Sequence, residues 1–242
     1  MAKRHSQEGW ARKERVFSHL ASQLKLGERA GKVWSRVQIF FKQNLALLAV
    51  PKTGTTALEA ALRGKADILF KGRRKHMSAA AFDRDCAPFL RKAYGLTPER
   101  VAVMRDPLNH LRSWYKYRSR SALDGSPKST AGLDFETFVR DALERPCAAH
   151  ANVGTQHKFL TLKTGQPPLH HLFAYEEMGA LLAFLQARFG REIVLKTANA
   201  SPALDTSLSR ETEARFKAAR APDYALYERI RAAGGHLQLE YG

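Results

Sequence analysis

The sequence predicts an α/β domain with three layers, in which helices flank a central parallel sheet of four or five strands. Short apolar runs alternate along the chain with longer segments whose apolar residues recur at helical spacing. Parallel strands need a crossover between them, usually a helix, so this alternation indicates a sheet covered on both faces. Hydrophobic residues make up 44% of the chain, which is enough to fill such a core.

The predicted elements follow one another in regular order. The apolar runs predict strands at 45–50, 66–70, 101–104, 170–174 and 193–196. Helical spacing predicts helices at 55–63, 79–94, 107–120, 134–143, 176–189, 208–219 and 224–233. Ser78 and Pro107 support two of the helix starts, because serine caps a helix and proline suits its first turn. The segment 121–132 is rich in Ser, Gly and Pro and predicts a flexible loop.

Residues 1–44 are predicted to form a basic helical extension that precedes a domain at 45–242. Val16, Leu20 and Leu24 fall at helical spacing, and most basic residues of the segment lie elsewhere. Such an amphipathic helix packs on its own domain or lies on a membrane or partner surface. The sequence leaves both arrangements open.

The composition predicts an anionic ligand and a cytoplasmic protein. The 40 basic and 23 acidic residues give a net charge of +17, which favours a polyanion, nucleic acid or an anionic membrane. Two cysteines do not make a disulfide framework. No apolar run is long enough to span a membrane, so at most peripheral membrane contact is expected. The N-terminus has no apolar signal region.

The segment after the first predicted strand is the strongest sign of function. An apolar strand, a tight loop and a helix start follow one another at 45–58. Unpaired N–H groups and the helix dipole make such a helix start a phosphate site. Gly54 allows a sharp turn, and Lys52 adds a mobile positive charge. The backbone and hydroxyl donors are expected from Thr53, Gly54, Thr55 and Thr56.

This loop differs from the P-loop of nucleotide-binding proteins. It has one glycine, and Lys52 comes before Gly54 instead of after it. No Ser or Thr follows a Gly-Lys pair to hold a magnesium ion. The loop therefore suits a phosphate whose chemistry needs no metal.

A second segment of the sequence, at 101–113, has the same order of strand, loop and helix as the first. The 101–104 strand ends in Arg105, and Ser113 follows on the next predicted helix. The two motifs, P-K-T-G-T-T and R-D-P followed by S-x-Y, together resemble the PAPS-binding motifs of sulfotransferases, nearer the carbohydrate-type branch. PAPS is 3′-phosphoadenosine 5′-phosphosulfate. With weaker matches at Gln156, 199–201 and 223–227, the resemblance extends from about residue 45 to 232.

The resemblance implies a P-loop-like fold and roles for the residues that match. Lys52 and the backbone of 53–56 would hold the 5′-phosphate, while Arg105 and Ser113 would bind the 3′-phosphate. The product would be adenosine 3′,5′-bisphosphate, and no metal would be needed. Lys52 would also stabilise charge in the transition state.

A general base must take the proton of the acceptor, and His76 is the candidate. Sulfotransferases use His or Glu in the segment after the first helix, and histidine titrates near neutral pH. The cations at 71–75 would lower the pKa of His76 and keep it neutral. His110 is the rival, and His150 and His157 stay open.

Two other function classes compete with sulfotransfer. A P-loop nucleotide kinase would need Gly-Lys-Ser/Thr and an acidic magnesium ligand. A non-catalytic binder of nucleic acid or acidic glycan would explain the charge and the basic aromatic segment 112–118, but not the two phosphate motifs. No stable nucleic-acid partner is expected. The resemblance favours a carbohydrate acceptor and the excess positive charge an acidic one, but glycans, lipids, metabolites and peptides all stay open. The choice between O- and N-sulfation and the oligomeric state stay open as well.

Overall fold

The computed structural model describes residues 37–70, 76–195 and 203–241. They form an α/β fold with a six-stranded mixed sheet flanked by helices. The strands are β1 Gln38–Phe40, β2 Leu45–Leu47, β3 Ile68–Leu69, β4 Glu99–Met104, β5 His171–Ala174 and β6 His236–Gln238. Their order across the sheet is β3-β1-β2-β4-β5-β6.

The centre of the sheet is parallel, as the sequence predicted. β2 pairs with β4 in parallel, and β4 pairs with β5 in parallel. In this register Leu45 lies opposite Glu99, and Val101 lies opposite His171. The carboxyl ends of three neighbouring strands therefore meet at one edge of the sheet.

The prediction of a purely parallel sheet is wrong for the outer strands. β1 runs antiparallel to both β2 and β3, and β6 runs antiparallel to β5. A tight turn causes the first reversal: Asn44 adopts a φ of 47°, and its N–H donates to the Phe41 carbonyl at 3.0 Å. Gly234 and Gly235, both with positive φ, form the turn that leads from the helix Ala221–Ala232 into β6. β1 also places the start of the sheet inside the segment predicted as the extension.

The helices agree closely with the predicted ones, apart from one additional short helix. They are α1 Thr55–Leu62, α2 Ala79–Ala81, α3 Ala87–Tyr94, α4 Pro107–Arg118, α5 Phe135–Leu143, α6 Gln156–Leu160, α7 Met178–Phe189, α8 Arg210–Ala219 and α9 Ala221–Ala232. A π-helical turn at Phe82–Cys86 joins α2 to α3. Side chains cap several of the N-termini, among them Ser78, Asp106 and Asp134.

The core lies on both faces of the sheet because side chains alternate along each strand. On one face Leu48, Ala102 and Leu172 pack in a cluster with Phe82 and Ile230. The opposite face buries its own cluster, which contains Leu45, Leu47, Val101, Val103, Phe173, Leu58, Leu181 and Leu185. A third cluster joins α4, α5 and α8 beside the sheet. The central strands are thereby held rigidly beneath the edge where the loops emerge.

Some predictions differ from the structure, and others fall on residues that it does not describe. Residues 193–195 are not a strand, and β6 was not predicted. The predicted N-terminal helix, the cations at 71–75 and the motif at 199–201 lie outside the described residues. Within the described part of the chain, no helix is both long and apolar enough to cross a membrane.

Candidate functional site

The loop between β2 and α1 has an unusual backbone. Lys52 and Gly54 both adopt left-handed conformations, with φ of 67° and 73°. Gly54 is the residue before α1, so no side chain caps the first turn of this helix. The Ala57 and Leu58 N–H groups already donate to the Gly54 carbonyl. The positive end of the helix dipole still favours an anion at the start of α1. A lysine with positive φ stores backbone strain, which is typical of functional loops.

Tyr175 lies against the loop and explains the glycine. A Cβ atom at position 54 would lie 3.1 Å from Cε2 of Tyr175, tighter than ordinary van der Waals contact. Tyr175 belongs to the turn that follows β5, at the same edge of the sheet. Gly54 thus meets two demands, a left-handed backbone and a close approach to an aromatic ring.

The threonines of the loop stabilise its backbone. The hydroxyl of Thr53, which is fully buried, donates to the Val50 carbonyl at 3.0 Å. The hydroxyl of Thr55 lies 3.5 Å from the same carbonyl. These two hydroxyls therefore stabilise the turn. The Thr55 hydroxyl was predicted to donate to a phosphate, whereas in this contact it faces the Val50 carbonyl. Thr56 lies half-buried in the first turn of α1.

Arg105 comes from the neighbouring parallel strand and reaches the loop. It follows β4 directly, and its Nη1 lies 3.5 Å from the Lys52 carbonyl oxygen. Its guanidinium stacks 4.4 Å from the centre of the Tyr175 ring. Its Nε lies 3.9 Å from a carboxylate oxygen of Glu176. One arginine therefore joins the ends of β2, β4 and β5.

Gln156 holds the backbone of Arg105 at both of its polar groups. The Gln156 side-chain oxygen accepts from the Arg105 N–H at 2.9 Å, and its amide nitrogen donates to the Arg105 carbonyl at 2.7 Å. The side chain is 2% exposed. Gln156 was predicted as a weak match that faces the site, and here it positions Arg105 through the backbone.

Glu176 connects three elements beside Arg105. Its carboxylate accepts from the Asp106 N–H at 3.2 Å and from the Tyr227 hydroxyl at 2.7 Å. Burial and this bond to Glu176 raise the pKa of Tyr227. Tyr227 lies on α9, so the carboxylate ties the β5 turn and the start of α4 to the end of the chain. The sequence analysis did not find Glu176.

The ammonium of Lys52 lies against aromatic rings of α4. Its Nζ is 4.2 Å from the centre of the Tyr117 ring and 5.8 Å from that of Trp114. Burial, with the charges of Arg120 and Arg105, lowers the pKa of Lys52 from 10.5 to about 8. The groups that shift this pKa are cations, so the site carries positive charge that an anion would neutralise.

His110 contacts the loop from beneath and does not fit the role of a base. Its Nε2 donates to the Pro51 carbonyl at 3.1 Å. Burial, followed by the charges of Arg105, Lys52 and Arg220, lowers the pKa of His110 to about 3. The ring is therefore neutral and enclosed at working pH, and its role is to support the loop.

His76 lies at the same edge of the sheet as Lys52. Its Nδ1 is 2.8 Å from the Ala49 carbonyl oxygen, just beyond β2. A carbonyl only accepts, so Nδ1 carries the proton and the neutral ring has its lone pair on Nε2. This tautomer suits a general base.

The other predicted site residues, Ser113, His150 and His157, make contacts of different kinds. Ser113 lies on α4 with 8% of its surface exposed, and no described hydrogen bond joins it to Arg105. His150 pairs at 2.6 Å with Asp141, which belongs to α5. The backbone N–H of His157 donates to the buried Asp223. The structure thus gathers the loop, Arg105 and His76 at one edge, while it gives these histidines other contacts.

The site also contains residues that sequence reasoning missed. Tyr117 and Arg120 lie at the loop, and the Arg120 guanidinium is 5.1 Å from the centre of the Tyr117 ring. The signal was the helical spacing of Trp114 and Tyr117, which puts both rings on one side of α4. Among the described residues no cluster of His, Cys, Asp or Glu is arranged to hold a metal ion.

Comparison with known proteins identified no relative of this chain. No protein-family model matches the chain, and neither the curated proteins nor the solved structures contain a match.

We predict that Lys52→Met stabilises the unliganded protein at pH 7. The pKa of Lys52 is lower in the folded state, so its charge destabilises the fold at every pH below about 8. Allowing for partial exposure, the gain is about 1–3 kcal/mol in denaturant unfolding. It should shrink as pH rises from about 8 to 10.5, where the unfolded lysine also loses its proton. The exposed Lys92→Met is the matched control, and a gain that stays constant with pH contradicts the burial of charge.

Gly54→Ala should destabilise the protein more than Gly95→Ala. Both glycines have positive φ, of 73° and 67°, so alanine costs about 1–2 kcal/mol in backbone strain at either position. A Cβ at Gly95 meets nothing within 4 Å, whereas one at Gly54 meets Tyr175. Thermal unfolding of both variants measures the difference. Equal losses would show that the approach of Tyr175 to the loop does not matter.

Proposed function

We propose that this chain is a sulfotransferase, which moves a sulfuryl group from PAPS to a hydroxyl or amine of an acceptor. One observation carries the proposal: an uncapped helix start, Lys52 and Arg105 converge at the carboxyl edge of two neighbouring parallel strands. In open α/β sheets ligands bind at this edge. The two sequence motifs that resemble PAPS-binding motifs provide these same residues.

The residues fit a bound phosphate in charge and in hydrogen bonding. No side chain caps the first turn of α1, and the positive end of its dipole favours a phosphate there. Lys52 and Arg105 add two cations, and Arg120 a third within electrostatic range of Lys52. Arg105 and Ser113 are the proposed 3′-phosphate ligands. We also propose that the fold is P-loop-like and that it binds PAPS.

The proposed chemistry uses few groups. An acceptor oxygen or nitrogen bonds to sulfur while the bond from sulfur to the 5′-phosphate oxygen breaks, and adenosine 3′,5′-bisphosphate leaves. Lys52 stabilises the charge that develops on the leaving oxygen. A nearby anion keeps Lys52 protonated to higher pH, because opposite charge raises the pKa of a lysine. The protein therefore acts mainly through position and charge.

His76 takes the proton of the acceptor in this proposal. Its Nδ1 donates to the Ala49 carbonyl, so Nε2 holds the lone pair that a base needs. The bond to Ala49 also anchors the ring to the strand that leads into the Lys52 loop. His110, with its pKa near 3 and its bond to Pro51, supports the loop instead.

A second candidate function is a non-catalytic binder of an acidic polymer. The net charge of +17 and the contacts of Lys52, Arg118 and Arg120 with Trp114 and Tyr117 favour it. A nucleotide kinase has less support, because Lys52 precedes Gly54 and no Gly-Lys-Ser/Thr occurs in the chain. We propose a cytoplasmic location, in keeping with a chain that has only two cysteines.

Thermal-shift measurements separate the three functions. We expect adenosine 3′,5′-bisphosphate to raise Tm in the absence of magnesium, because a ligand stabilises the state that it binds. A response to ATP only with magnesium indicates a kinase. A response to heparin or DNA, with none to either nucleotide, indicates a polyanion binder and overturns the proposal.

Arg105→Ala should weaken binding of the bisphosphate by about 2–3 kcal/mol, the range for hydrogen bonds to charged groups. Ser113→Ala should cost about 1 kcal/mol, because a neutral donor contributes less. Isothermal titration calorimetry measures both. Arg91→Ala, exposed on α3, controls for the loss of one charge. Unchanged affinity in both Arg105 and Ser113 variants removes the 3′-phosphate assignment.

Lys52→Ala should abolish turnover with the fold intact, because its charge matters most in the transition state. His76→Ala should slow turnover by about 10²–10⁴-fold and leave bisphosphate affinity nearly unchanged. Steady-state rates with PAPS and a verified acceptor, alongside calorimetry, measure both effects. A His76→Ala variant with full rate would show that another residue is the base.

A further inference from the structure

The ring of Tyr117 contacts two cations at once. Nζ of Lys52 lies 4.2 Å from its centre, and Cζ of Arg120 lies 5.1 Å from it. Both distances fall within the range in which a cation is attracted to an aromatic ring. Tyr117 is on α4, Lys52 is in the loop after β2, and Arg120 follows the end of α4. One side chain therefore brings together cations from two separate segments.

The arrangement around this ring is cationic throughout. Arg105 joins Arg120 in acting on Lys52, and Lys52 and Arg105 both act on His110. Trp114 adds a second ring 5.8 Å from Lys52, with Arg118 5.3 Å from that same ring. These like charges repel one another. The Glu176 carboxylate near Arg105 and the faces of the aromatic rings offset part of that repulsion.

We propose that Tyr117 is a positioning residue for Lys52, and that Arg120, held on the same ring, is a further anion-binding residue of the site. The ligand class is a group with more than one negative charge, such as a pyrophosphate or a phosphosulfate. The inference deepens the proposed function, because it assigns a second cation to the same loop. Its geometric part does not depend on which anion binds.

An aromatic ring at position 117 is useful because it restricts the side chain of Lys52. Lys52 has a positive φ, which directs its side chain differently from that of an ordinary strand residue. A flexible ammonium would lose side-chain entropy when it binds an anion. Contact with Tyr117 restricts it beforehand, so less entropy is lost on binding. Both cations lie over the Tyr117 ring, so the aromatic face is the part of this side chain that the inference needs.

The first test needs no ligand. In protein with ¹³C-labelled lysine, the ε-methylene signal of Lys52, identified by its loss in Lys52→Met, should be shifted upfield by the ring current. Tyr117→Phe should keep this shift and Tyr117→Leu should reduce it, with the remainder due to Trp114. An unchanged shift in Tyr117→Leu overturns the positioning role.

The second test measures pyrophosphate affinity by calorimetry at constant ionic strength. Arg120→Gln and Tyr117→Leu should each weaken binding about tenfold, whereas Tyr117→Phe should change it less than about twofold. The double variant should lose less than the product of the single losses, because Tyr117 acts partly through Arg120. Arg91→Gln on the exposed face of α3 is the matched charge control. Losses no larger than that of the control overturn the proposal.

The outcomes separate this inference from the sulfotransferase proposal. If pyrophosphate binds and depends on Tyr117 and Arg120, but adenosine 3′,5′-bisphosphate does not bind, the two-cation site stands and the donor is wrong. If the bisphosphate binds and neither variant matters, the donor stands and this inference fails. If the unaltered protein binds neither anion, the role of Arg120 fails, and the lysine signal alone decides the role of Tyr117.

Discussion

The parallel pairing of β2 and β4 is the constraint on which the site depends. The pairing continues past the end of β2, where the Leu48 N–H donates to the Val101 carbonyl at 2.8 Å. Because the two strands run side by side in one direction, the Lys52 loop and Arg105 emerge together. The pair is buried on both faces, so the loops rest on a rigid base.

Side chains that never meet a ligand in this proposal still decide where the charges lie. Gln156 fixes the Arg105 peptide, Glu176 fixes the start of α4, and Thr53 fixes the turn after β2. Gln156 and Thr53 are buried and hydrogen-bonded, as buried polar groups must be, while Glu176 is hydrogen-bonded at a more exposed position. A cationic edge, costly to assemble, is thus held by neutral and acidic groups behind it. This division explains why positive charge can be concentrated at one place without loosening the fold.

The sequence was sufficient for the centre of the fold and insufficient at its margins. Long periodic segments such as α4 and α7 were predicted well, because many apolar positions contribute to one pattern. β1 and β6 have three residues each and lie at turns, so periodicity could not identify them. The reversal from β1 to β2 depends on a tight turn with positive φ at Asn44, a local property that apolar patterns do not record.

In the site, too, the residues that belong to a local sequence pattern could be predicted and the others could not. Lys52, Gly54 and Arg105 belong to segments with a local pattern, and the structure gathers them where parallel strands end. Tyr117 and Glu176 lack such a pattern, because each gains its importance from residues far away in the sequence. Contacts of this kind depend on how α4 and the β5 turn pack, which one sequence alone does not reveal.

The buried bond between His110 and Pro51 has a further consequence for how the loop responds to acidity. With a pKa near 3, this imidazole keeps one protonation state from mildly acidic to alkaline solution. Its support of the Pro51 carbonyl is therefore constant while Lys52 gains or loses its charge above it. The loop behaves as a scaffold insensitive to pH that carries a group sensitive to pH. Evolution can thus retune the charge of Lys52 through its neighbours without disturbing the turn that presents it.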